Sequence, residues 1–192
     1  MRVIGITGGI GSGKSTVCAI LSAMGYPVYN SDNRAAVLMQ ESPLIQSKIR
    51  ELFGESVFSA EGKPDRAKIG SLVFNDAVEL NKLNSIIHPA VGSDFYDWLA
   101  KQNSSLVFKE SAIIFEHNLQ ENLDAVWLVY APEKMRIARV MKRGLSKDEI
   151  KARMSKQIAP EIAIDKSDSI IINDELEALI PQLIKLTQSF NS

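Results

Sequence analysis

The chain has 192 residues, 45% of them hydrophobic and 23% charged, with a formal net charge of -1. Those totals exclude a disordered chain and predict one folding unit with a substantial core. The near-neutral balance argues against a broad nucleic-acid or membrane footprint, which needs Lys and Arg in excess on one face, and leaves small anionic ligands open.

The opening residues 2–7 read as a strand, with no basic leader ahead of an apolar stretch. No segment approaches the ~20 apolar residues that span a bilayer, so a soluble cytoplasmic protein is expected. A glycine-rich loop follows, then helical periodicity over 14–24, stopped by Gly25. The single cysteine, Cys18, lies in that helix and suits a reducing compartment. Residues 27–29 form a short second strand, and Asn30-Ser31-Asp32-Asn33 offers side chains able to cap the next helix. Strand, helix, strand is a βαβ unit and predicts a parallel sheet.

Residues 34–100 show helical stretches broken at Gly54, at Glu61-Gly62-Lys63-Pro64 and at His88-Pro89. They read as a mostly helical insertion within a single domain spanning 1–192. Residues 106–109 and 125–130 look like buried parallel strands. A helix over 133–143 ends at Gly144, and Ser146 with Glu149 restarts one with capping-box spacing. Ile170-Ile171-Ile172 is the fifth strand, and 175–190 the closing helix.

Gly8, four residues, then Gly13-Lys14-Ser15 is the phosphate-loop pattern, placed between a strand and a helix as that pattern requires. The glycines let successive N–H groups point into one concavity, where they and the helix N-terminus bind phosphate oxygens. Gly11, Ser12, Gly13, Lys14, Ser15 and Thr16 are therefore the expected ATP-binding residues. Lys14 reaches the β- and γ-phosphates, and the Ser15 hydroxyl is a ligand for Mg2+. The alternative, a glycine turn that only packs the helix on the sheet, is weaker because the pattern is complete and correctly placed.

The loop specifies a nucleoside triphosphate, not an acceptor. A GTPase switch protein needs Asp-x-x-Gly after the third strand and Asn-Lys-x-Asp at a strand end. The first is absent, and Asn81-Lys82-Leu83-Asn84 imitates the second inside the helical insertion. A motor or transporter ATPase usually needs more chain. A small-metabolite kinase needs a core, an acceptor-binding insertion and a lid. Asp32, after the second strand, would lie at the carboxyl edge of the sheet, where it either takes a proton from a hydroxyl acceptor or merely caps the next helix. Arg136, Arg139 and Arg143, spaced i, i+3 and i+7, share one helix face before a glycine break. They form either a lid over the phosphates, within about 136–157, or a solvated face.

With these residues assembled, the sequence resembles the dephospho-CoA kinase family. The resemblance runs from Ile6-Thr7-Gly8-Gly9-Ile10-Gly11-Ser12-Gly13-Lys14-Ser15-Thr16-Val17 through Ser31-Asp32, Phe53-Gly54, Gly62 with Asp65-Arg66, Val73-Phe74, Ile87-His88-Pro89 and Ile113-Ile114-Phe115-Glu116. It continues with Arg139 and Arg143, Gln157, Ser167-Asp168 and Asn173. It implies a P-loop kinase three-layer α/β sandwich with a five-stranded parallel sheet, a helical CoA-side region and a lid. It also implies ATP-dependent phosphorylation of the ribose 3′-hydroxyl of dephospho-CoA, with Mg2+; beside it, the charge balance leads us to expect no nucleic-acid or membrane partner, and no obligate protein partner is evident in the sequence. Asp32 is then the catalytic base, and Lys14, Arg139 and Arg143 the charge-stabilising groups. Arg66 and His88 fall on the CoA side, and Glu116 beside the acceptor cleft. Asn30 and Ala112 depart from the family's usual Asp and Pro. A kinase for another small metabolite, or a binding module that no longer turns over, are the competing readings.

Overall fold

Five apolar segments pair as parallel strands: β1 (Arg2–Thr7), β2 (Val28–Asn30), β3 (Leu106–Glu110), β4 (Ala125–Tyr130) and β5 (Ser169–Ile172), in the order β2-β3-β1-β4-β5. The computed structural model describes residues 1–74 and 76–191, and the described residues fall into two units, 1–30 with 102–191 and, separately, those within 31–101.

In the first unit the central strands are apolar throughout because both sheet faces are covered. On one face Ile4, Ile6, Trp127 and Val129 pack with Val17, Cys18 and Leu21 of α1 (Lys14–Ala23) and Leu183 of α9 (Leu179–Asn191). On the other, Val126 and Leu128 pack with Ile114, Phe115 and Ala163 of α8 (Pro160–Lys166). Alternate residues of β4 thus serve opposite cores, and the unit is a three-layer α/β sandwich. Between β4 and α8 lie α6 (Glu133–Met141) and α7 (Lys147–Met154), the latter opened by the capping box of Ser146 and Glu149.

The second unit holds α2 (Ser31–Glu41), α3 (Pro43–Phe53), α4 (Arg66–Phe74) and α5 (Ala77–Leu99). Leu83, Ile87, Val91 and Phe95 form the buried stripe of α5, which packs against the other three. Arg34 holds Asp94 through two hydrogen bonds of 2.8 and 2.5 Å.

Four boundaries correct the sequence reading. The helix α5 runs straight through His88-Pro89. Pro89 and Ser85, whose carbonyl the proline cannot bond, are both exposed, so water can satisfy that carbonyl. The helix α6 ends at Met141, which leaves Arg143 in the turn beyond it, with Gly144 at φ 94°. The closing helix starts at Leu179 and not at 175, because Glu175 takes φ 67° and the Asp174 carboxylate accepts from the N–H groups of Leu176 and Glu177. The second strand ends at Asn30 and the helix begins at Ser31, which puts Asp32 inside the first turn and not at the capping position.

Candidate active site

The phosphate loop leaves the central strand β1 at the carboxyl edge of the sheet, the edge at which open α/β sheets bind ligands. Gly13 shows why the loop needs glycine. Its φ is 102°, and a Cβ there would stand 2.0 Å from Asn173 Nδ2. Lys14 folds back so that its Nζ donates to the Gly8 carbonyl at 2.7 Å. Its charge thus sits against the loop and not the core. The Ser12 hydroxyl is buried without a hydrogen-bond partner among the described residues, and Ser15 and Thr16 are exposed on the first turn of α1.

Three distant side chains hold this loop from outside. Gln157 Oε1 accepts from the Ile10 N–H at 2.8 Å. Asn173 Nδ2 donates to the Ser12 carbonyl at 2.7 Å. Arg139 donates to the carbonyls of Gly11 (3.5 Å), Ser12 (3.4 Å) and Asn173 (3.0 Å), and pairs with Glu175 at 3.0 Å. Gln157 and Asn173 belong to the stretches that carry the family resemblance, yet no local pattern gives either a task. Their signal is positional, since both lie where the chain returns to the loop from far along the sequence.

Glu110 is the main residue that sequence reasoning missed. It ends β3, pairs in register with Ile6 of β1 and Asn30 of β2, and is buried. Asn30 donates its amide N–H to the Glu110 carboxylate. The departure at Asn30 thus supplies a hydrogen bond where an aspartate would supply repulsion. Burial, reinforced by the negative charge of Glu110, pushes the Cys18 thiol up to about 12, while the Lys14 charge acts the other way. Cys18 is therefore an inert, protonated neighbour of the site.

Of the other expected residues, Glu116 does not stand free. Its Oε1 accepts from the Ile158 N–H at 2.9 Å, while Oε2 is buried without a partner among the described residues. Arg136 is buried against the loop at Gly9, whereas Arg143 is exposed. The three arginines therefore do not form one face. Asp32, Arg66 and His88 belong to the second unit: Asp32 and Arg66 are exposed at the first turns of α2 and α4, and His88 is half-buried on α5. Among the described residues no cluster of His, Cys, Asp and Glu could hold a metal by itself, so a divalent cation here would need oxygens of the bound phosphates as well. The Ser15 hydroxyl and the Glu110 carboxylate are hard oxygen ligands of the kind that hold such an ion jointly with substrate phosphates.

Comparison with known proteins shows the family and the fold. A family model described as dephospho-CoA kinase matches residues 2–178. A dephospho-CoA kinase of Bacteroides fragilis is 37% identical over 185 residues, covering 95% of this chain and 90% of that protein. A crystal structure of a Thermus thermophilus protein aligns with a TM-score of 0.89 at 34% identity, covering 98% of this chain and 96% of the other. The structure of a dephospho-CoA kinase from Campylobacter jejuni aligns with a TM-score of 0.68 at 27% identity, covering 97% and 95%. Among the described residues no helix is long and apolar enough to cross a membrane.

Proposed function

The chain belongs to the dephospho-CoA kinase family and phosphorylates dephospho-CoA with ATP, the last step of coenzyme A synthesis, and we propose that the acceptor atom is the ribose 3′-hydroxyl and that the residues below carry the transfer. The complete phosphate loop, with Lys14 against Gly8 and three side chains fixing its outer surface, is the observation that most directly supports the donor side of this reading, and the 3′ position rests on the likeness to the family.

Gly11 to Thr16 bind the triphosphate through loop N–H groups and hydroxyls, and Lys14 neutralises charge on the β- and γ-phosphates. Ser15, with the Glu110 carboxylate, would hold Mg2+, which would supply charge neutralisation for the phosphates. Asp32 orients the ribose hydroxyl and takes its proton. As the bond from O3′ to the γ-phosphorus forms, the bond to the leaving ADP oxygen breaks, and the proton passes to the Asp32 carboxylate. Its place inside the first turn of α2, with no hydrogen bond to its carboxylate among the described residues, suits a base better than a cap.

Arg143, exposed beyond α6, is the charge that stabilises the transferring group, on a lid confined to the stretch between the loop contacts of Arg139 and Gln157. Arg139 serves the same phosphates at one remove, by fixing the loop that binds them. Arg66 and His88 of the second unit, together with Glu116, serve the acceptor. A buried, unpaired thiol at Cys18 suits the cytoplasm.

Incubation with MgATP and dephospho-CoA, followed by mass analysis, tests the assignment. One added phosphoryl group, mapped to the 3′ position by fragmentation, is expected. A phosphate at the 2′ position, or ATP turnover independent of dephospho-CoA, would overturn it.

A further inference from the structure

Arg136 and Gly9 define a feature that the transfer chemistry above leaves unused. Arg136 is only 9% exposed, its Nε–H has no hydrogen-bond partner, and no carboxylate lies within ion-pair distance of its guanidinium among the described residues. Burial lowers its affinity for a proton, with Glu133 and Tyr130 only partly offsetting that loss. A buried guanidinium without a counter-charge is costly in the free protein, and an entering anion relieves that cost.

The guanidinium lies directly over Gly9. A Cβ at residue 9 would stand 1.8 Å from Arg136 Nη1 and 3.0 Å from its Cζ. Gly9 is not among the residues with positive φ, so its backbone would accept a side chain. The glycine is required here by the arginine and not by the turn. Both residues line a cavity of about 170 Å³ that also receives Thr7, Glu116 and Gln157. Glu116 brings to that region its own buried, unpartnered oxygen, Oε2. One wall therefore lacks an acceptor and another lacks a donor.

We propose that this cavity is a second phosphoryl-binding subsite beside the phosphate loop, in which Arg136, seated over Gly9, binds a phosphate oxygen of a nucleotide and Glu116 accepts a hydroxyl or N–H from the same molecule. The inference rests on the kinase reading for the choice between the two nucleotides offered, ATP and dephospho-CoA, but not for the site itself. Arg136 is on this view a fixed part of the floor and not a lid arginine.

Calorimetric titration of Arg136→Gln, Gly9→Ala and the double variant with ATP and with dephospho-CoA separately, beside turnover of each, tests it. Loss of one charge-assisted bond should weaken the affinity for one of the two ligands by about tenfold or more while leaving the other within about twofold. Loss confined to dephospho-CoA identifies the acceptor's pyrophosphate as the occupant, and loss confined to ATP identifies the donor's phosphates. Gly9→Ala displaces the guanidinium and should reproduce the same selective loss, yet add nothing in the Arg136→Gln background. Unchanged affinities for both ligands, equal losses for both, a fall in kcat alone, or additive effects of the two substitutions would each overturn the subsite. Should Arg136→Gln fail to fold, Gly9→Ala alone decides between selective loss and none. Failure of the wild type to phosphorylate dephospho-CoA would sink the kinase reading and leave the titrations standing.

Discussion

Arg139→Ala separates two ways in which this arginine can serve phosphoryl transfer. If it acts by holding the loop, the variant loses a bond to the Asn173 carbonyl at 3.0 Å, an ion pair with Glu175 at 3.0 Å, and two longer contacts with the Gly11 and Ser12 carbonyls at 3.5 and 3.4 Å. A hydrogen bond to a charged group contributes about 1.5–3 kcal/mol, and contacts at the edge of bonding distance contribute little. The Glu175 side chain is 68% exposed, so screening reduces the ion pair to less than about 0.5 kcal/mol. The sum is about 2 kcal/mol, which for a chain of this length lowers the melting temperature by about 4–8 °C. ATP affinity should fall with it, since the carbonyls Arg139 fixes belong to the peptides that present the phosphate-binding N–H groups. Melting followed by circular dichroism, ATP titration and turnover on one preparation make the test. Glu175→Gln is the control and should melt within about 1 °C of the wild type. An Arg139→Ala protein with unchanged melting temperature and ATP affinity, but turnover reduced by orders of magnitude, would refute the loop-holding argument. Arg139 would then act on the transition state alone.

Lys14→Ala should abolish turnover and leave the circular dichroism spectrum intact, because its Nζ meets the loop and not the core; near-normal turnover would remove the phosphate assignment. Asp32→Asn should bind MgATP normally and lose about a hundredfold or more in turnover, the scale of a positioned base; a nearly silent substitution would leave no base in the second unit's first turn. Cys18 has a folded value of about 12 against an ordinary 9.0, so the folded state holds its proton more tightly. The stability this contributes is complete below pH 9 and is lost as pH rises from 9 towards 12. Urea unfolding at pH 8, 9 and 10 should therefore show a steeper decline for the wild type than for Cys18→Ala, and parallel declines would contradict the burial argument.

The parallel strands were legible because burial on both faces leaves continuous apolar runs. The β4 strand occupies residues 125–130 as predicted, and every side chain from 125 to 129 is buried. The phosphate loop was legible because its chemistry needs fixed residue types at fixed spacing. What failed depended on surroundings that periodicity does not carry. Pro89 looks like a helix end, yet it falls on an exposed helix face where an unbonded carbonyl is tolerated. Arg136, Arg139 and Arg143 look equivalent at i, i+3 and i+7, yet they are respectively buried over Gly9, bonded to the loop's outer surface and exposed beyond the helix. Glu110 gave no signal at all. Its meaning comes from β3 lying between β1 and β2, which brings Asn30 and Cys18 to its carboxylate.

The loop's outer contacts bear on why the site works as an anion trap. Each peptide that turns its N–H inward must turn its carbonyl outward, and a carbonyl left to water can rotate back and put negative charge into the concavity. Asn173 and Arg139 bond the carbonyls of residues 11 and 12 from outside, which fixes those peptides in the orientation that favours phosphate. Gln157 acts on the opposite group. By accepting from the Ile10 N–H it satisfies one donor and leaves the later peptides of the loop to face the ligand. These residues lie 127 to 161 positions away in sequence, so the loop acquires its fixed geometry only when the last third of the chain has folded around it. Ordering that would otherwise oppose ATP binding is then complete before the nucleotide arrives, and the donors need no reorganisation as charge shifts during transfer.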